Sequence, residues 1–441
     1  MRFSPKFLFF CIASAVLPAL SGRALAATLY VGTCHANSYT TIQAAVTAAS
    51  SGATIEVCPG TYPEQVLITQ SLTLTGIQGT SNGLVQIVPP AGGLAANGFD
   101  IFANPVAAQV FVQGAGYVKI NHFVVDATGN NLAGCGGPTL EGIYYQNSSG
   151  EIKNNTVSNQ FQTNFAADGG CQNGLAINVE SLTSSNAVKI SGNSVRAYQK
   201  NGITATGAGT GLNTLGPVVT ITENAIVGLA ATAMNWPGGA AENGIQVGFG
   251  ATGSITGNAV EDNIWWSDTS SDPGDAASGI LVYASAGVNV IQNRVASSQF
   301  GITVDSDPLY GTADGTTITD NKVVGTQIFD AIDLCSNTNV VTSNLVFNST
   351  ESGIHIDDSC GGTGNNNTVT GNEVHDSCAG ILLGTGTGNT NIPNTFYTVA
   401  NTTLGGDVCP APSSSVLPAS VKGAAARHAR LHPSPFKPAK K

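Results

Sequence analysis

The sequence predicts an all-β solenoid, a parallel β-helix, and three observations lead there. First, an Ile-x-x-Asn-x-Val phrase, with Val in place of Ile in some copies, recurs eight times, from Ile152-Asn155-Val157 to Val369-Asn372-Val374. Its asparagines (Asn155, Asn193, Asn224, Asn258, Asn293, Asn321, Asn344 and Asn372) are separated by 38, 31, 34, 35, 28, 23 and 28 residues. The shortest step is close to one bare coil, and the longer ones are coils carrying loop insertions. Second, the apolar residues alternate, where a helical repeat would space them by 3.6. Third, 54 glycines and only 10% charged residues suit a turn-rich chain. Asparagine fits the bend because it tolerates left-handed backbone angles, and coils stacked about 4.8 Å apart let each amide bond the next.

The two ends are of a different kind. Residues 1–26 have a basic start (Arg2, Lys6), an apolar run from Phe7 to Leu20 and an Ala24-Leu25-Ala26 cleavage site. That is a signal peptide, too short in its apolar run to span a bilayer, so the expected protein is secreted, extracellular or periplasmic. The solenoid is expected over residues 27–408, followed by a basic, proline-punctuated tail over 409–441. Cys11 leaves with the signal peptide. The other eight cysteines form an even set in an oxidising compartment, and nearness in sequence pairs Cys34 with Cys58, Cys135 with Cys171, Cys335 with Cys360, and Cys378 with Cys409. All 27 acidic residues lie within 27–421, against seven basic ones, so the body carries a formal charge of about −20. Such a body repels phosphates, which argues against a nucleic-acid partner.

Along the chain, a strand near Thr28 is followed by Thr40 to Ala49, where Ile42, Ala45, Val46 and Ala49 share one helical face. This short helix would cover the open N-terminal end of the apolar column. The order Tyr39-x-x-Ile42-Gln43-x-Ala45, then Val57-x-Pro59-Gly60-x-Tyr62-x-Glu64, then Leu72-x-Leu74-x-Gly76, resembles the start of secreted right-handed parallel β-helix proteins of the pectin-lyase-like superfamily. The resemblance covers residues 28–405 and implies a right-handed coil. It also implies a carbohydrate-active protein with a polysaccharide or cell-surface glycan as partner, working as a monomer.

Glycine-led strands run from Gly142-Ile143 through Gly174-Leu175 to Gly380-Ile381, with Ala331-Ile332 as a variant. Alternation turns the residues one and three places after the glycine inward, and those two and four places after it outward. Asp305, Asp333, His355 and Asp357 then share one outward strip, expected to face solvent, with Asp307, Asp330 and Asp358 at its edges. Backbones one coil and two positions apart are separated by about 8 Å, inside the range that inverting glycosidases use for their two carboxyls. These four are the candidate catalytic residues, with His355 placed to orient, donate a proton or bind substrate. The same strip also reads as a structural ladder holding Ca²⁺, or as turn-forming aspartates. Trp236, Trp265 and Trp266, with Tyr283, are candidates for a substrate-stacking wall.

The resemblance narrows the chemistry further. The Asn-Thr-Asp, Asp-Asp, Gly-His-Gly and Arg-Ile-Lys set of polygalacturonases is only echoed by His355 and Asp357-Asp358. The Asp-Pro-His-Glu of alginate epimerases is absent, and the strip has no Arg or Lys to abstract a proton as the lyases do. Two readings stand: a hydrolase of a neutral or weakly charged glycan, and a non-catalytic surface scaffold that binds glycans or proteins.

Overall fold

The computed structural model describes residues 27–78, 83–164, 170–209, 215–229, 241–265, 276–358, 362–406 and Cys409. Residues 1–26, expected to be a signal peptide, the tail beyond Cys409, Trp236, Trp266 and Cys360 lie outside the described residues. The chain is a right-handed parallel β-helix. Among the described residues, three sheets of 12, 12 and 13 strands run side by side along the solenoid. The first sheet runs from Thr28–Val31 to Thr368–Thr370, the second from Gly60–Pro63 to Thr395–Tyr397, and the third from Val66–Ile68 to Asn401–Gly405. Nearly every neighbouring pair is parallel; the short Gly98–Phe99 strand pairs antiparallel with Pro105–Gln113.

Each recurrent phrase spans one bend. Its first apolar residue ends a strand of the first sheet and its last lies in the second. In the first sheet Ile190, Ile221, Ile255, Val290, Ile318, Val341 and Val369 are stacked in register. Val195, Ile226, Val260, Val295, Val323, Val346 and Val374 do the same in the second. All of these are fully buried, in one continuous core that runs the length of the helix. At about 1.5–3 kcal/mol for each enclosed Val or Ile, this column is the main stabilising term.

The asparagines between those strands form a buried ladder. The backbone N–H and Nδ2 of Asn193 both donate to Asn224 Oδ1, each at 2.9 Å. The same pair of bonds repeats from Asn155 to Asn372 and runs on to Asn394. Each Nδ2 also caps a carbonyl of the preceding coil, as Asn321 does to Val290 at 2.8 Å. One expectation is corrected. The left-handed residue is not the ladder asparagine but the one before it: Asn154, Gly192, Glu223, Gly257, Gln292, Asp320, Ser343 and Gly371 all have φ between 53° and 69°. The sharp turn is made one residue early, which leaves the asparagine in ordinary backbone geometry to bond along the stack. A second ladder, Asn339 to Asn367 to Asn389, runs through another turn.

At the N-terminal end, helix α1 (Ile42–Ala48) lays Ile42, Ala45 and Val46 on the core. Thr41 caps it by accepting the Ala44 N–H, and Glu64 accepts the Ile42 and Gln43 N–H groups at 2.8 Å each. Disulfides join Cys34 to Cys58, Cys135 to Cys171 and Cys378 to Cys409, as expected. Cys335 is also disulfide-bonded.

The third sheet carries the glycine-led strands, and its register explains the glycine. Ser278 pairs with Phe300 and Ile280 with Ile302, so the ladder steps over Gly279 and Gly301. At that bulge both the glycine and the next residue face inward. A Cβ on Gly279 would lie 2.3 Å from Val295 Cγ1 in the second sheet. The residue before the glycine therefore points outward, and each coil presents three outward positions instead of two.

Candidate active site

Strand pairing brings the acidic strip together as alternation requires. Asp333 is flanked in register by Thr303 and His355, and Asp305 by Tyr283 and Cys335, while Asp357 follows Ile356, the partner of Leu334. The bulge adds Asp330, which the sequence places at the edge of the strip. It occupies the third outward position, and its Oδ1 accepts the Ser352 N–H at 2.9 Å and the Ser352 hydroxyl at 2.5 Å. Its Oδ2 accepts from His355 Nδ1 at 3.1 Å. Asp333 Oδ1 lies 3.8 Å from the same nitrogen and has no hydrogen-bond partner.

The expectation that this strip faces solvent is overturned. Asp305, Asp333 and Asp357 are 4%, 6% and 4% exposed, and His355 is wholly enclosed. The residues do point away from the core, but the turns that follow them fold back. Asp307 accepts the Leu309 and Tyr310 N–H groups and the Tyr283 hydroxyl, closing the turn from Asp307 to Gly311. Beyond Asp357, Asp358 accepts from Thr385, and the Gly362 N–H reaches Cys335 Sγ at 3.4 Å.

Enclosure sets the charges. Burial alone would lower the pKa of His355, but the Asp330 charge and hydrogen bond, with Asp333 and Asp357 behind them, outweigh it and push the imidazole up to about 10. Burial raises Asp333 well above the usual carboxylate range, and the Asp357 charge raises it further, against a lowering by His355. Glu351, which the sequence reading passes over, is pushed up to about 8 by burial and by Asp330. At neutral pH the cluster therefore sets a charged imidazole, His355, beside a carboxyl, Asp333, that burial shifts toward its protonated form, a combination that suits an acid catalyst.

The donor atoms of Asp330, Asp333 and His355 lie within 4.8 Å of one another, close enough for one ion. They do not fit Ca²⁺, which takes six to eight oxygens. One corner is an imidazole whose proton is held by Asp330, and the other Asp330 oxygen is committed to Ser352.

Two members of the expected aromatic wall, Trp265 and Tyr283, are enclosed. Trp265 is buried against Ala277, with its backbone N–H on Gln299 Oε1 at 2.9 Å. Tyr283 is buried under Phe249 and Tyr310. Both rings serve as packing, Trp265 against Ala277 and Tyr283 at the end of its third-sheet strand Ser278–Tyr283. Trp236 and Trp266 lie outside the described residues.

A second cluster on the same outward face escapes the sequence reading. Ile177 is in register with Ile143 and Ile203, so Ala176, not Gly174, takes the glycine's place in that coil. The outward residues there are Asn178 and Glu180. With Glu141 and Tyr144 of the preceding coil they form a buried acidic group. Burial raises both glutamates, Glu141 well above its usual range and Glu180 to about 7. An Ala-Ile in place of Gly-Ile, already seen at Ala331-Ile332, is the signal that would have found it.

The family described as a right handed beta helix region matches residues 176–396. No curated protein matches the chain. Among solved structures it is similar to a GH136 lacto-N-biosidase from Eubacterium ramulus at 11% identity and a TM-score of 0.50, over 86% of this chain and 67% of that one. It also matches a polygalacturonase from Erwinia carotovora at 11% identity and a TM-score of 0.43, covering 87% and 97% of the two chains. The catalytic domain of a GH87 alpha-1,3-glucanase in complex with nigerose matches at 11% identity and a TM-score of 0.48, covering 88% and 71%. At these identities the likeness speaks to the fold.

Proposed function

The chain belongs to the family described as a right handed beta helix region, and from that premise we propose that it is a secreted carbohydrate-active protein, a hydrolase of a neutral or weakly charged glycan. The observation that carries this reading is Asp333. Its carboxyl is buried among Asp305, Asp357 and His355, is pushed well above the usual carboxylate range by that burial, and has one oxygen without a hydrogen-bond partner. Asp305 and Asp357 stand diagonally on either side, with backbones about 8 Å away by strand spacing, which leaves room for an acid and a base to share a water. Asp333 gives its proton to the glycosidic oxygen, and Asp305 or Asp357 removes one from the attacking water. His355, locked to Asp330, is a positioning residue that holds a fixed positive charge beside them. The glycan reaches the carboxyls when the turn from Asp307 to Gly311 swings away from Tyr283. The substrate class rests on the resemblance to pectin-lyase-like proteins and agrees with the fold shared with a lacto-N-biosidase.

The test is release of new reducing ends from a glycan panel by the mature protein. Asp333→Asn should abolish release and leave glycan retention nearly intact. A second reading, a glycan- or protein-binding scaffold, is favoured by the complete enclosure of Asp330, Ser352 and His355, which tie neighbouring coils together. Retention of glycan by the wild type with no new reducing ends would establish it in place of the hydrolase.

A further inference from the structure

Basic residues are scarce in the body of this chain: seven between residues 27 and 421, against 27 acidic ones. Three of the seven, Lys119, Lys153 and Lys189, stand together on the outward face of the first sheet, in three consecutive coils. Lys119, Glu151 and Lys189 are in register in one column, and Asn121, Lys153 and Ser191 in the next. Three lysines against one glutamate make this block positive on a body of about −20. Like charges gathered on neighbouring strands repel, so solubility alone would spread them out. Where the strands enter the bend, the surface dips into a cavity of about 200 Å³ lined by Lys119, Asn121, His122, Glu151, Lys153 and Asn154.

The lining is rich in donors. Glu151 is turned to Lys119, with Oε2 3.6 Å from the ammonium. Lys153 has no acidic partner among the described residues. The Thr75 hydroxyl donates to Asn121 Oδ1 at 2.8 Å, which leaves the nitrogen as the free end of that amide. The Asn154 amide nitrogen lies 3.2 Å from His122 Nε2 and holds the ring in the bend. Hydroxyls border the block on both sides: Thr73 and Thr75 precede it in register, and Thr220 and Thr222 follow it. Tyr117, 47% exposed, stands just before the Lys119 strand, its ring centroid 5.8 Å from the Lys119 ammonium. Lysines and an amide N–H suit an anionic group, while the flanking hydroxyls and an open ring suit the sugar that carries it.

We propose that this cavity binds the anionic substituent, a carboxylate or a sulfate ester, of a glycan chain lying across the first sheet, at a site separate from the Asp333 cluster on the third. The site is a point of attachment to a charged glycan and does not rest on the hydrolase reading. Affinity electrophoresis of the mature protein at low salt tests it, in gels holding polygalacturonate, dextran sulfate or plain dextran. The net negative charge of the protein drives it away from both polyanions, so retardation by either needs a local site. At least one polyanion should retard the wild type, and plain dextran should not; the polyanion that acts tells carboxylate from sulfate. Lys119→Gln with Lys153→Gln, both on the surface, should weaken that binding about tenfold or more, with circular dichroism unchanged. A variant with the six basic residues after Val421 changed to Gln should bind as the wild type does. The proposal is overturned if neither polyanion retards the protein, if plain dextran retards it equally, if retardation is undiminished in the Lys119/Lys153 variant, or if the tail variant loses it. Retardation does not depend on hydrolysis, so failure of this site and failure of the hydrolase reading are separately visible.

Discussion

Asn321 and Asn344, one bare coil apart, are joined twice: the backbone N–H of Asn321 lies 2.9 Å from Asn344 Oδ1, and its amide nitrogen lies 3.0 Å from the same oxygen. Asn321 is also an acceptor, taking the backbone and side-chain N–H groups of Asn293. Removing its amide strands donors and acceptors in three consecutive coils. Asn321→Leu is expected to destabilise the protein by about 3 kcal/mol, since each buried group left unpaired costs about 1–3 kcal/mol. Chemical denaturation of variant and wild type measures this, and a midpoint that does not move would refute a structural role for the ladder.

The glycine of each third-sheet strand is equally exposed to test. Gly279→Ala puts a methyl 2.3 Å from Val295 Cγ1 and 2.9 Å from the Gly301 carbonyl oxygen. A loss of about 3 kcal/mol is expected from overpacking in a rigid core. The same substitution at Gly129, where no atom lies within 4 Å, should act only through its left-handed φ of 80°. Comparing the two variants separates crowding from backbone strain.

Stability should fall as pH rises through the alkaline range. His355 is raised from 6.5 to about 10 in the fold, so the stabilisation from its protonated form is fully present below pH 6.5 and is lost by about pH 10. Asp333 acts in the same direction: its pKa is raised above 3.8, so the fold binds its proton more tightly than the unfolded chain does, and that advantage declines as pH rises above about 4. A series of Tm values from pH 6 to pH 10 should therefore slope downward in the wild type. His355→Gln should flatten the slope, and an unchanged slope would show that the imidazole is not the group titrating.

Asp333→Asn replaces a carboxyl that burial pushes toward its protonated form by a neutral amide of the same shape. At pH 7 its Tm should match or exceed that of the wild type, because burial disfavours a charge at this position and the amide carries none. A large drop in Tm would mean that Asp333 is ionised in the fold, which would remove it as an acid.

Secreted protein, denatured without reductant, should contain no more than a trace of free thiol. The three bonds at Cys34–Cys58, Cys135–Cys171 and Cys378–Cys409, with Cys335 also bonded, account for most of the set. Several reactive cysteines on titration would contradict it.

The repeat was legible because it is a statement about the core. Ile190 and Val195 must face inward in every coil, so spacing alone sets the sheets and the bend. Asn394 was harder to see, since its phrase carries Ile392-Pro393 before it and Phe396 after it. The outward face carries no such constraint. Gly174 looks like the glycine of its strand, yet only pairing with the neighbouring coils shows that Ala176 occupies the bulge and turns Glu180 outward. The enclosure of Asp305, Asp333 and Asp357 was invisible for a related reason: it depends on turns such as Asp307 to Gly311 folding back, which no periodicity along the chain records.

The ladder also bears on how such a protein changes over generations. Successive ladder asparagines are as many as 38 and as few as 22 residues apart, yet the amide bonds between them stay between 2.9 and 3.1 Å. The scaffold is therefore indifferent to how much chain is spliced in between two coils. Whole insertions can be gained, lost or exchanged between coils without re-registering anything above or below, so the loops that shape the outward face are free to diversify while the bend that carries them stays the same.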